Sequence, residues 1–168
     1  MPNSDSAPSV AELARIHGLE PLPLEGGLFR QTWAGGPRQP DGHPAGTAIV
    51  LLLSAEDGLF SAMHRLPRDE VWHFYLGDAV QLLLLEPGGG SRVEVLGQDV
   101  RAGQRVQFTV EGGTWMGARV RPGGSHALLG CTMAPGFLPA DYEGGAADEL
   151  AARYPLHASL IHALCRIS

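Results

Sequence analysis

Positive charge is scarce in this sequence: 12 Lys and Arg stand against 18 Asp and Glu, for a formal charge of −6, and no stretch gathers its cations into a cluster. A phosphate backbone finds no electrostatic footprint here, so nucleic acid is not an expected partner. Long apolar runs are missing as well. None approaches the roughly 20 residues that span a bilayer, and the first residues lack the basic region and apolar run of a secretory leader. No membrane association is expected, and a cytoplasmic location is. Cysteine is limited to Cys131 and Cys165, far apart and outside any Cys-x-x-Cys spacing, which signals neither a metal knuckle nor a disulfide framework. Cys131, within the apolar run around Leu128 and Leu129, reads as a buried strand thiol.

What the chain has in quantity is turn chemistry. Its 23 glycines and 13 prolines fall between apolar runs as punctuation and form no repeat. Residues 1–6 are polar and expected to be disordered, and 7–168 fit one domain that buries about two-thirds of its unfolded surface. Ser9 and Glu12 have the spacing of a reciprocal helix cap, which predicts a short helix ending at Gly18. From Leu28 onward short strands follow one another over 28–33, 47–53, 59–65, 70–76, 79–86, 91–96, 104–110, 114–121 and 125–132. Their connectors are pairs such as Gly77-Asp78, Gly112-Gly113 and Gly123-Gly124. Regular short strands without intervening helices indicate an all-β sandwich or barrel. The chain closes with two helical patterns divided at Tyr154-Pro155, the second carrying a stripe of Leu156, Leu160, Ile161 and Leu164. Several strands are apolar on both faces, so an outer sheet surface needs cover, and a homodimer is expected.

Chemistry concentrates between Gly58 and Gly77. Alternation places Phe60, Ala62 and His64 on one face of the first strand there, and Glu70, Trp72 and Phe74 on one face of the second. His73 takes the opposite face from Glu70. A histidine and a carboxylate are thereby brought together. His17, His43, His157 and His162, in a loop or at helix surfaces, read as inert, and His126 as exposed.

The run from Gly58 through His64, Leu66 and Glu70 to Gly77 resembles the first cupin motif, G-x5-H-x-H-x3-E-x6-G, at every fixed position but the second histidine, where Leu66 stands. The run from Gly103 to Trp115 resembles the second motif, whose final histidine is replaced by Trp115. The segments Glu25–Arg30, Asp69–Phe74 and Gly130–Phe137 are similar to one branch, Cupin-5, to which no function is assigned. The resemblance runs from about Ala11 to Arg166. It implies an all-β cupin (RmlC-like) jelly-roll β-barrel with a short N-terminal helix and C-terminal helices, usually dimeric, with a pocket inside the barrel.

In metal-binding cupins the two histidines and the glutamate of the first motif and the histidine of the second hold one metal. His64 and Glu70 match ligand positions, whereas Leu66 and Trp115 cannot coordinate. A catalytic transition metal generally needs about three protein ligands, so neither a metal nor another cofactor is expected. His64 and Glu70 then read as an acid/base pair, or as a pair that merely satisfies itself within the barrel. Trp72, Phe74 and Trp115 are expected to wall the pocket. Arg119, an even number of residues from Trp115, is a candidate anion holder or a solvated charge, and Glu25 and Arg30 are pocket candidates from their family-like context. Two functions compete: metal-free, epimerase- or isomerase-like proton transfer on a small polar or sugar-like metabolite, and capture of such a ligand without reaction. The two missing ligands argue against a metal-dependent enzyme.

Overall fold

The computed structural model describes residues 6–56 and 58–168. Apart from Ser6, the N-terminal stretch expected to be disordered lies outside the described residues. Helix α1 (Val10–His17) begins as its spacing demands: the Ser9 hydroxyl accepts from the Glu12 N–H, and the Glu12 carboxylate accepts from the Ser9 N–H at 2.9 Å. It ends at Gly18, whose φ of 62° is the left-handed stop.

Eleven strands follow: β1 (Glu20–Pro21), β2 (Leu28–Gly35), β3 (Gly46–Ser54), β4 (Ser61–Arg65), β5 (Glu70–Gly77), β6 (Val80–Leu85), β7 (Ser91–Leu96), β8 (Gln107–Val110), β9 (Trp115–Val120), β10 (His126–Met133) and β11 (Glu143–Gly144). They form two antiparallel sheets, one ordered β1-β2-β3-β10-β5-β8 and the other β11-β4-β9-β6-β7. This is the jelly roll. The expected strands are present with ends moved by a few residues, because the turn residues were placed correctly and the ladders stop where the turns begin.

The inner faces pack into one cluster that includes Leu51, Leu53, Trp72, Leu82, Leu84, Met116 and Leu129. Outside the larger sheet, α1 seats Leu13 on Leu52 and Leu128. Outside the smaller sheet, α2 (Ala147–Arg153) and α3 (Ala158–Leu164) cover Met63, Leu83, Leu85 and Trp115 with Leu150, Tyr154, Ile161 and Leu164. This explains why strands such as β6 are apolar on both faces. Leu156 departs from its predicted stripe: it sits in the 3-10 turn Pro155–His157 and is 81% exposed.

Two facing expectations fail for reasons of register. In β4 a bulge between Ser61 and His64 interrupts the alternation, so Ser61 pairs with Ala118 and His64 with Met116, both inward positions. Phe60 instead joins the outer cluster under the C-terminal helices and does not share the His64 face. In β9 the inward residues are Met116, Ala118 and Val120. Trp115 and Arg119 therefore face out.

Candidate functional site

Glu25 owes its position to the turn before β2. The Gly26 N–H donates to the Leu22 carbonyl at 3.1 Å and the Leu22 N–H to that of Gly27 at 3.0 Å, a fold that needs φ of 96° and 82° at the two glycines. A Cβ on Gly26 would lie 2.5 Å from the Phe60 carbonyl oxygen, so this turn can approach β4 only as glycine. The Ala62 N–H then donates to the Glu25 carbonyl at 2.7 Å, and the Ser61 hydroxyl to Glu25 Oε1 at 2.8 Å.

His64, 1% exposed, lies beside this carboxylate with Nε2 3.7 Å from Glu25 Oε1. Its Nδ1 is 2.7 Å from the Ala62 carbonyl, which can only accept, so Nδ1 carries a proton. The Tyr142 ring stacks over the imidazole at 5.4 Å between centroids and 14° between planes. Burial lifts the Tyr142 phenol to about 12, with the Glu25 charge adding to the effect.

Glu70 projects inward from β5 and is 7% exposed. Its carboxyl is pushed up to about 7, mostly by burial and then by the Glu25 charge, with His64 opposing the rise. The Cys131 thiol and the Trp72 indole favour its ionised form slightly, yet neither completes a hydrogen bond of proper geometry. Glu70 Oε2 and Trp72 Nε1 are buried without a partner among the described residues.

Glu25 and Glu70 both line a cavity of about 500 Å³ that opens between the sheets. Phe29, Gln31, Ile49, Leu66, Cys131 and Met133 come from the strands and the turn after β4, while Phe137, Leu138, Pro139 and Tyr142 form the far wall. At its edge His43, 8% exposed, bonds through Nε2 to Asp141 at 2.7 Å and lies 2.9 Å from Asp41 through Nδ1. These aspartates raise the His43 pKa, that of Asp141 most. A smaller hollow of about 390 Å³ lies along β8 and the turn after β6; its Glu86 and Arg92 pair with each other.

Of the predicted site residues, the structure brings Glu25, His64 and Glu70 together. Trp72 and Phe74 point inward but lie in the packed part of the barrel, not in the cavity wall. Trp115 is on the outer face, with the Arg65 guanidinium 4.7 Å from its ring centre. Arg119 donates to Gln81 at 3.0 Å on that same face. Arg30 reaches the His17 carbonyl at the end of α1, outside the barrel. His73 is outward as expected, bonded to the Thr132 hydroxyl at 2.9 Å. Sequence reasoning misses Ser61, Cys131, Tyr142 and the His43–Asp141 pair at this site; His43 is buried in an ion pair. Nothing local signals that pairing, because its partners are 98 residues apart.

The description "Cupin superfamily (DUF985)" matches residues 11–144, most of the chain. The chain belongs to the cupin superfamily. Among solved structures, this cupin is similar to a Shewanella oneidensis protein with 28% identity and a TM-score of 0.87, over 96% of this chain and all of that one. It is also similar to a hypothetical protein from Leishmania major, with 27% identity and a TM-score of 0.84 over 94% and 99% of the two chains. A cupin 2 domain-containing protein from Halorhodospira halophila shares the fold at 14% identity and a TM-score of 0.56, over 86% of each chain. No curated protein matches.

The side chains of this cupin do not fit a metal of the superfamily's type. Leu66 faces the cavity where a second histidine would stand, and β9 presents Met116 inward where the second motif would supply another. Among the described residues, no three His, Cys, Asp or Glu side chains are arranged to hold an ion. No helix among them is long and apolar enough to cross a membrane.

Proposed function

We propose that this cupin binds a small metabolite in the barrel cavity and that Glu70 is the group that exchanges a proton with it. The observation that carries this reading is Glu70 itself: its side chain lines a cavity large enough for a metabolite, and its Oε2 is buried without a partner among the described residues. Leaving such an oxygen unpaired costs about 1–3 kcal/mol, which a bound donor recovers. A carboxyl held near neutrality is also suited to give and take a proton at physiological pH. The wall is mostly apolar, with Leu22, Phe29, Ile49, Met133 and Phe137. It favours a ligand with an apolar body and a polar end over a sugar-like one covered in hydroxyls.

His64 serves here as a positioning group. Its Nδ1 proton is committed to Ala62, Tyr142 covers its face, and Nε2 looks toward Glu25 and not into the open cavity. With His64 committed, a two-base epimerisation has Glu70, Glu25 and the Tyr142 phenol to draw on, and capture without reaction is the second reading. Native mass spectrometry after exposure to a fractionated metabolite extract identifies the occupant, and NMR of that occupant in heavy water reads carbon-bound proton exchange. Exchange that disappears in Glu70→Gln while binding persists supports catalysis. Binding without exchange leaves a binding module, and no retained small molecule overturns both.

A second copy of this chain is the expected partner. Beyond α1 the outer face of the larger sheet presents Trp33 and Tyr75, 52% and 47% exposed, next to His73.

A further inference from the structure

Two carboxyl groups, Glu25 and Glu70, share the cavity wall with no cation between them among the described residues. Glu25 contributes a carboxylate whose Oε1 receives only the Ser61 hydroxyl within hydrogen-bond distance, and Glu70 contributes the orphaned Oε2. Of the donors beside them, two are tied elsewhere or badly aimed, which leaves the neutral Tyr142 phenol and Gln31 amide on the wall. The Nδ1 proton of His64 goes to Ala62, and the Trp72 N–H makes no bond. Arg38 is the one cation among the described lining residues, and it donates to the Gly42 carbonyl of its own exposed loop at 2.7 Å. The sequence contains no lysine that might reach in.

A ligand end that suits this arrangement brings several donors, no acceptor and a positive charge. An ammonium group has three N–H donors and no lone pair, and it turns two neighbouring acidic groups from a mutual liability into a chelate. A carboxylate or phosphate meets like charge there, and a hydroxyl satisfies one oxygen while needing a donor for its own lone pairs. The remaining wall, Phe29, Ile49, Met133 and Phe137, is matched by an aliphatic or aromatic body. Resting on the reading that the cavity holds a small molecule, we propose that its ligand is a primary amine with an apolar body, its ammonium held between Glu25 and Glu70.

The test uses two body-matched series: hexylamine, hexanol and hexanoate, and benzylamine, benzyl alcohol and benzoate. Each is titrated into the intact chain by calorimetry, with the Trp72 indole N–H followed by NMR as a reporter beside Glu70. In at least one series the amine is expected to bind about tenfold or more tightly than its alcohol, a difference of roughly 1.4 kcal/mol, and the carboxylate not to bind. Glu70→Gln, which keeps the side-chain shape, should remove that tenfold preference. Glu25→Gln repeats the comparison in case the first variant folds poorly. An alcohol or a carboxylate that binds as tightly as its amine, or an amine preference that survives both carboxyl replacements, overturns the amine. It leaves the small-molecule reading standing if the Trp72 signal moves. If no compound of either series binds or moves that signal, the amine falls, and the small-molecule reading is decided by the metabolite extract.

Discussion

Replacing Glu70 with glutamine should stabilise this cupin, and by an amount that grows with pH. In the folded chain burial holds the carboxyl at about 7, against an ordinary value of 4.5. Below pH 4.5 the group is protonated in both states and contributes no difference. As pH rises from there the unfolded chain ionises while the folded one does not, so the folded state loses stability until pH passes the folded value and both are ionised. The interval between 4.5 and about 7, at roughly 1.4 kcal/mol per pH unit, amounts to ~3 kcal/mol at full development. Between about pH 5 and pH 8 the variant should gain roughly 2–3 kcal/mol over the parent. Urea denaturation of both proteins at several pH values reads this directly as a widening gap in midpoint at constant slope. A gap that does not change with pH, or a variant less stable throughout, would show that the carboxylate is well satisfied in the folded chain and would refute the argument. A residue that costs stability at physiological pH is one whose retention points to function.

Trp115→Ala is expected to destabilise the fold by about 3–5 kcal/mol and leave cavity binding unchanged, since Trp115 packs beneath the C-terminal helices; a binding defect without a stability loss would contradict its placement. His43, lifted above 6.5 by Asp141 and Asp41, contributes stability that is complete below pH 6.5 and lost as pH rises through its raised value. His43→Gln should therefore cost most in acid and least in alkali, and an NMR titration of His43 at or below 6.5 would remove that prediction. Light scattering at micromolar concentration should find a homodimer that Tyr75→Asp dissociates, and a monomeric parent would exclude this interface.

Much of the fold was legible because turn chemistry and strand alternation are local. The reciprocal cap at Ser9 and Glu12, the stop at Gly18 and the Gly112-Gly113 turn each name their own conformation. The inward set Glu70, Trp72 and Phe74 followed from period two alone. Where the reading failed, a non-local fact intervened. The bulge in β4 reverses the side of every residue before it, so Phe60 moved outward while His64 stayed in. Motif spacing points Trp115 inward, but the ladder of β9 with β6 and β4 puts Met116 there. The direction of Glu25 depends on how a glycine turn meets Phe60 and Ala62, about 36 residues on. Depth inside the barrel is not encoded in alternation either, so Trp72 and Phe74 were inward but not at the cavity.

The most direct measurement of the central claim is the carbon-13 NMR titration of the Glu70 side-chain carboxyl, assigned by its disappearance in Glu70→Gln. The account predicts a midpoint near 7 in the free protein and a change in that midpoint when the cavity is occupied. A midpoint at the ordinary 4.5, indifferent to any molecule bound in the barrel, would contradict it.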